Sequence, residues 1–221
     1  MSRNLDILRR LRRPALAVVA CALGSAALVE GATTRQTDVG VRAIGMGGAY
    51  SAVGADASVI RWNPATIATL QRQEIVGAYA DRFGLGLNES YLGYVLPITD
   101  AHALGLDWFN RGFDDVDGGL GLSSGYNLMS LAYGYRNSIA ALKPYIGNAA
   151  IGGAVKYVAQ DADLDGRSVM SASGLGFDLG LLAPLPYGLR LGVAVQDIGG
   201  TSVEHDGGLS EQIFDARWRI G

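Results

Sequence analysis

Acidic side chains at alternate positions indicate metal-binding chemistry in one short stretch of the sequence. Asp161, Asp163 and Asp165 have the spacing with which a calcium-binding loop begins. A complete EF-hand loop also needs a bidentate glutamate at its twelfth position, which here is Ala172. A second acidic stretch, DDVDGG, lies at 114–119. Two interpretations stay open for both stretches: a loop that holds Ca²⁺ loosely, or a hydrated acidic turn.

Other side chains that could support catalysis or metal binding are scarce. Cys21 is the single cysteine, and His102 and His205 are the only two histidines. These numbers exclude a disulfide scaffold and a thiolate metal site, and they leave little for a Ser-His-Asp triad. The net charge of −3 provides no basic surface for nucleic acid. We therefore expect no enzyme activity, no cofactor and no nucleic-acid partner.

A third set of polar side chains occupies alternate positions within apolar stretches. Its members are Lys156, Asp178, Arg190, Gln196, Arg217 and Arg219. In β-strands, alternate residues point to one face, so these groups would share the face opposite the large apolar side chains. Asp178 and Arg190 would lie within diagonal reach on adjacent strands. The set would form either a path that selects ligands or charges, or an ion-pair network that stabilises the fold.

The elements that position these residues are predicted from a period of two. The clearest example is GLGFDLGLL at 174–182, where leucine and phenylalanine alternate with glycine and Asp178. About eight segments share this pattern, and we predict strands at 74–83, 91–98, 104–110, 127–137, 151–160, 174–182, 189–196 and 214–220.

The contents of the two strand faces favour a membrane barrel over a soluble β-sandwich. One face carries large aliphatic and aromatic side chains, while the other carries glycine, alanine and isolated charges. A soluble sheet seldom places glycine on its solvent face, because glycine weakens strands. The chain contains 32 glycines and has a mean hydropathy of +0.19. We predict an all-β fold, a transmembrane antiparallel β-barrel with small and charged residues facing its lumen.

The connections between the predicted strands alternate between short and long. Short ones lie near 99–101 and 183–188, and long ones at 111–125, 161–168 and 197–212. Outer-membrane barrels have short periplasmic turns and longer external loops. We therefore expect the acidic loops, including Asp114, Asp115 and Asp117, to face outside.

The N-terminal 32 residues have the features of a signal peptide. Five arginines precede an apolar run at 15–29, which is shorter than the roughly 20 residues of a membrane-spanning helix. Small residues that suit a cleavage site follow this run. A retained N-terminal anchor and lipidation at the VVAC sequence, 18–21, are the alternatives.

Residues 40–70, GVRAIGMGGAYSAVGADASVIRWNPATIATL, resemble the N-terminal signature of the PorV/PorQ-type outer-membrane proteins, which are similar to the FadL-like transporters. The positions that carry this resemblance are Arg42, Gly45, Met46, Gly47, Gly48, Ala49, Asp56, Trp62, Asn63, Pro64 and Ala65. The resemblance implies that 33–73 forms a small-residue hatch inside a FadL-like barrel built from 74–221. Such barrels have around fourteen strands, so we expect this chain to be a fragment that stops after about eight. A complete eight-stranded barrel is the alternative.

The resemblance also implies a location and a function. We expect a bacterial outer-membrane protein, in contact with lipid, that acts in transport or in protein secretion. Its partners would then be secreted cargo proteins or hydrophobic small molecules. A FadL-like uptake channel for compounds such as fatty acids is the first alternative. A structural or adhesive β-domain outside the membrane is the second.

Overall fold

The computed structural model describes residues 38–54, 56–82, 86–113, 121–136, 147–205 and 210–221. The predicted signal peptide and Asp114, Asp115 and Asp117 lie outside these ranges. The short helices are α1 (Val41–Gly45) and three 3-10 helices, η1 (Ala57–Arg61), η2 (Pro64–Thr69) and η3 (Pro186–Gly188). None of the helices in the described ranges has the length and hydropathy needed to cross a membrane.

Most of the described residues belong to strands of one antiparallel sheet. The strands are β1 (Glu74–Arg82), β2 (Leu87–Pro97), β3 (His102–Phe113), β4 (Leu122–Arg136), β5 (Ala150–Leu164), β6 (Arg167–Pro184), β7 (Arg190–Gln196), β8 (Thr201–His205), β9 (Ser210–Phe214) and β10 (Arg217–Ile220). The sheet order is β1-β2-β3-β4-β5-β6-β7-β10, and β8 pairs with β6 and β9. Seven of the eight predicted strands and the antiparallel β class are confirmed. The prediction of a single strand at 214–220 is wrong, because Phe214 ends β9, residues 215–216 belong to no strand, and Arg217–Ile220 form β10. The sheet is open, because β1 and β10 end the path without pairing with each other.

The prediction of a long loop at 161–168 is wrong. β5 and β6 pair up to Leu164 and Arg167, so only Asp165 and Gly166 form the turn. Both residues have positive φ, 50° and 71°. This is the backbone of the tight hairpin turns that favour Asp-Gly, and the right-handed twist of the flanking strands matches it. The residues therefore extend the strands instead of forming an acidic loop.

The prediction of a long loop at 197–212 is also wrong, because this stretch contains β8 and most of β9. β7 and β8 lie against successive parts of β6: Val195 pairs with Leu179, and Ser202 pairs with Leu175. The six residues between Val195 and Ser202 oppose only three residues of β6. The three extra residues form an irregular bulge at 197–200, in which Asp197, Gly199 and Gly200 have positive φ and the Gly200 amide donates to the Asp197 carbonyl oxygen at 2.8 Å.

The two faces of the sheet differ as the alternation predicts. On β4, Leu128, Ser130 and Ala132 are buried, whereas Met129 and Leu131 between them are exposed. The same order holds on β3, β5 and β6. The face with small and charged residues is thus the inner one, and large apolar side chains cover the outer one.

Residues 38–73, here called the inner segment, cover the inner face of the sheet. Asp56 caps η1 by accepting a hydrogen bond from the Ser58 amide at 2.9 Å. Asn63 caps η2, where Pro64 occupies the first turn and gives up no backbone hydrogen bond there. η2 contacts five strands, β2 to β6, so the sheet curves around this single short helix.

Candidate functional site

The glycines of the inner face lie where the backbone of the inner segment touches the sheet. A Cβ on Gly152 would come within 2.6 Å of Pro64 and of the Ala65 amide. A Cβ on Gly180 would overlap the Asn63 side chain, and one on Gly192 would overlap the Ser51 carbonyl oxygen. Such separations leave no room for any side chain. The glycine-rich face predicted from the sequence is therefore a binding surface for the inner segment.

Two residues of the family-like signature connect the inner segment to its surroundings. The side-chain NH₂ group of Asn63 donates to the backbone carbonyl oxygens of Ser51 (2.8 Å) and Leu181 (3.0 Å). Its side-chain oxygen accepts a hydrogen bond from the backbone N–H of Ala65 at 3.1 Å. The Trp62 indole N–H donates to the Val39 carbonyl oxygen at 2.9 Å, and the ring is buried. Asn63 thus joins two parts of the inner segment to β6.

Other signature residues shape the start of the inner segment. Gly47 and Gly48 have positive φ, which fits the turn that follows α1. The Tyr50 hydroxyl donates to the Asp56 carboxylate at 3.1 Å. Burial, together with this carboxylate, raises the pKa of Tyr50 above its usual value. Four further signature residues are exposed on or shortly after α1: Arg42, Gly45, Met46 and Ala49.

A buried ion cluster lies on the inner face at the bulge between β7 and β8. The Lys156 ammonium is 2.7 Å from Asp178 and 2.6 Å from Asp197, and Lys156 and Asp178 are 5 % and 3 % exposed. The Thr201 hydroxyl donates to Asp197 at 2.7 Å, and the Asp197 amide donates to Asp178 at 2.9 Å. The bulge is what brings Asp197 onto the inner face, where it gives Lys156 a second carboxylate.

A second group of charges fixes η1 to the sheet. Arg61 forms a buried ion pair with Asp107 at 3.2 Å, and its guanidinium lies 5.5 Å from the centre of the Phe109 ring. The backbone carbonyl oxygen of Arg61 accepts a hydrogen bond from the side-chain amide of Gln196 at 2.6 Å. Two strands distant in sequence thus meet one residue of the inner segment: β3 through Asp107 and β7 through Gln196.

Arg219 on β10 completes these contacts. It donates to Gln196 at 2.7 Å and to the Asp38 carboxylate at 2.6 Å. Its guanidinium also lies 4.3 Å from the Trp62 ring centre, within the range of a cation–π interaction. The C-terminal strand is thereby bonded to the first described residue of the inner segment.

The structure brings together four of the six polar residues predicted to face the lumen. Lys156, Asp178, Gln196 and Arg219 belong to the bonded groups described above. Arg190 is exposed and donates to the Val53 carbonyl oxygen at 3.2 Å. Asp178 pairs with Lys156, and Arg190 stands opposite Pro184, six residues along β6 from Asp178, so the expected contact between Asp178 and Arg190 is wrong. Arg217 is half-buried on β10.

Sequence reasoning missed three residues of this site: Arg61, Asp107 and Asp197. Asp107 stands at an inner-face position of a predicted strand, so the alternation of residues along that strand could have identified it. Arg61 lies in a segment without strand periodicity, and Asp197 reaches the inner face only through the bulge. No local pattern in the sequence indicates either placement.

The three aspartates predicted as a calcium site, Asp161, Asp163 and Asp165, are not grouped around a common point in the structure. Asp161 and Asp163 lie on β5 and Asp165 occupies the hairpin turn. Within the described ranges, no three His, Cys, Asp or Glu side chains are grouped closely enough to hold a metal ion.

The chain was compared with protein-family models, curated proteins and solved structures, and none of them matched. The resemblance of residues 40–70 to the PorV/PorQ-type proteins therefore stays a prediction based on those residues.

Proposed function

We propose that this chain belongs to an outer-membrane β-barrel protein that acts in transport or protein secretion across that membrane. The observation that carries the proposal is the inverted polarity of the sheet. On the outer face Leu131 and Leu179 are each 58 % exposed, while Lys156 and Asp178 are buried on the inner face. Water would favour the opposite arrangement, whereas hydrocarbon favours this one.

Several neighbouring strands share this polarity, so the exposed apolar surface is continuous. Outer-face residues from β2 to β6 that remain exposed are Leu92, Leu104, Leu106, Met129, Leu131, Tyr133, Ile151, Val155, Tyr157, Leu175, Phe177, Leu179 and Leu181. Monomeric soluble proteins seldom expose apolar patches larger than a few hundred Å². Neighbouring strands of the antiparallel sheet pair their backbone hydrogen-bonding groups, and a membrane-spanning barrel would also have to pair the two open edges, β1 and β10.

A pair of arginine substitutions on β6 tests the proposal. Leu179→Arg would place a charge in hydrocarbon and should reduce the stability of the vesicle-inserted protein by about 2–4 kcal/mol. Ser173→Arg, on the same face of the same strand but among polar neighbours, is the matched control and should have little effect. The measurement is the unfolding midpoint in urea of protein floated with lipid vesicles.

A soluble β-domain gives the reverse result. Leu179 would then face water, and Leu179→Arg would leave stability unchanged while improving solubility without detergent. Recovery of the wild-type chain from the soluble periplasmic fraction, together with an unchanged Leu179→Arg midpoint, would reject the membrane proposal.

Uptake of hydrophobic small molecules is a second candidate, favoured by an apolar cluster on the inner face. Leu128, Val158, Ala172 and Val203 are buried together there, and Tyr126 and Phe214 pack against them with their rings 6.4 Å apart. Binding of a fluorescent hydrophobe that weakens in Tyr126→Ser and Phe214→Ser would support uptake. Pull-down of exported proteins, with no hydrophobe bound, would support the secretion role.

A further inference from the structure

The outer face of the sheet changes from apolar to polar part-way along its strands. Four neighbouring rows of side chains, related by the strand register, are almost entirely apolar. The row at one limit contains Leu92, Trp108, Met129, Tyr157 and Leu175. The row at the other limit contains His102, Tyr135, Ile151, Leu181 and Val193. We call these four rows the apolar band.

Beyond the Trp108 row the outer face becomes polar over several strands at once. The next row contains Ser90, Asn110, Asn127, Ala159 and Ser173. The row after it contains Asn88, Gly112, Gly125, Asp161 and Ser171. No leucine, isoleucine, valine, phenylalanine or tryptophan stands in either of these two described rows on β2 to β6. The boundary is therefore a property of the sheet and not of one strand.

Aromatic side chains near both limits direct their polar atoms away from the middle of the band. On one side, the Tyr79 hydroxyl donates to Asn88 at 2.7 Å, and the Trp108 indole N–H points to Asn127 at 3.4 Å. On the other side, the Tyr133 hydroxyl, in the third row, lies 2.6 Å from the Nδ1 atom of His102 in the limiting row. Tyrosine and tryptophan take this orientation at the interface between lipid and water.

The height of the band fits a bilayer. From Leu175 to Leu181 it extends about 20 Å along β6, at a rise of about 3.4 Å per residue. Exposed apolar side chains at the adjoining turns, Ile98 and Leu189, lengthen it further. Outer-membrane barrels have an outward apolar band about 25 Å tall, which strands tilted by about 35–45° cross over about 30–35 Å of their length, so the four rows span part of this length and the apolar side chains at the turns extend it. β6, with 18 residues, is much longer than the band.

We infer that lipid hydrocarbon contacts only the apolar band, and that the strands beyond the Trp108 row project into water. The inference rests on the proposed function and adds the position of the membrane to it. The projecting part consists of the ends of β1 to β6 with the β8–β9 hairpin. The short turns at 98–101 and 185–189 lie at the opposite side of the bilayer. The projecting part holds the inner apolar cluster of Leu128, Val158, Ala172 and Val203 outside the hydrocarbon layer.

A spin-label scan along β6 tests the boundary in the full chain, floated with phosphatidylcholine vesicles. Single cysteines replace the outer-face residues Ser171, Ser173, Leu175, Phe177, Leu179 and Leu181, in a Cys21→Ala background. Labels from Leu175 to Leu181 should collide with oxygen and lose collisions with a water-soluble nickel complex. Labels at Ser171 and Ser173 should keep their nickel collisions.

A second scan on β4 guards against a variant that does not fold. There the transition should fall between Asn127 and Met129, with Gly125 in water and Leu131 in lipid. Two results in floated protein would overturn the boundary: lipid contact that continues to Ser171 or Gly125, or water contact at Phe177 and Leu131. Both results would leave the membrane proposal standing. Protein that does not float with vesicles, with every label in water, would overturn both.

Discussion

At the scale of single residues, the inner-face glycines have a role that composition alone does not reveal. Gly152 meets the backbone of Pro64 and Ala65 at a distance that excludes a Cβ. Its neighbour Gly153 points outward, where a Cβ would make an ordinary contact of 3.4 Å with Leu179. The two glycines are adjacent on one strand and differ only in the face they occupy.

Gly152→Ala should therefore destabilise the protein by about 1–3 kcal/mol, because the added methyl group forces η2 away from the sheet. Gly153→Ala is the control and should change stability by less than about 0.5 kcal/mol. Urea unfolding monitored by tryptophan fluorescence measures both variants. Equal effects of the two substitutions would show that η2 does not lie against β5.

The buried cluster of Lys156, Asp178 and Asp197 yields a second residue-scale prediction. Lys156→Met leaves two carboxylates without their cation and should cost about 3–5 kcal/mol. The triple variant Lys156→Met, Asp178→Asn, Asp197→Asn removes all three charges and should regain much of that loss. Unfolding midpoints compare the two variants. If the triple variant is as unstable as the single one, the cost does not come from unpaired charge.

At the scale of elements, the bulge at 197–200 decides the chemistry of the inner face. It interrupts the strand formed by β7 and β8, while the Ile198 amide still donates to the Phe177 carbonyl oxygen at 2.9 Å. Bulges commonly redirect a side chain next to a functional site. Here the redirected side chain is Asp197, which the alternation of residues alone does not place.

The contact between the inner segment and the last strand can be tested by a disulfide. A Cβ on Gly221 would lie 3.6 Å from the Ser51 Cβ, within the range of disulfide-bonded cysteines. The Ser51→Cys, Gly221→Cys pair, in a Cys21→Ala background, should oxidise readily and raise stability by about 2–4 kcal/mol. Gel mobility with and without reductant detects the bond.

Ser51→Cys alone is the control for this pair and should show no mobility change. A pair that stays reduced in protein with native β-structure would contradict the position of the inner segment.

At the scale of the whole molecule, the inner segment serves as the core of the sheet. Trp62, Ile60 and Ile67 are buried, and the sheet supplies mostly alanine, glycine and valine around them. Most large apolar side chains of the sheet point outward, and inward ones such as Phe109 and Leu128 pack in separate clusters. The largest side chains of this core, Tyr50, Ile60, Trp62 and Ile67, therefore belong to the inner segment.

Deletion of residues 38–73, with the N-terminal 32 residues kept, should abolish the folded state. The deletion takes away Arg61, the ion-pair partner of buried Asp107, and the backbone that packs against the inner-face glycines. We therefore expect the free energy of unfolding to fall below zero. Protease resistance and circular dichroism of vesicle-floated protein measure the outcome. A truncated protein with full β-content and protease resistance would show that the inner segment is a removable gate.

The amino-acid sequence by itself determined the seven strands β1 to β7 and the contents of their two faces. Both follow from local rules, since alternation fixes which side chains share a face. The sequence also indicated the inner segment, through its resemblance and its small residues. Only the tertiary structure decided the partners: Lys156 with Asp197, Arg61 with Asp107, and Gly152 with the η2 backbone. These contacts join residues far apart in sequence, and they depend on register, on one bulge and on curvature around η2, which no local pattern encodes.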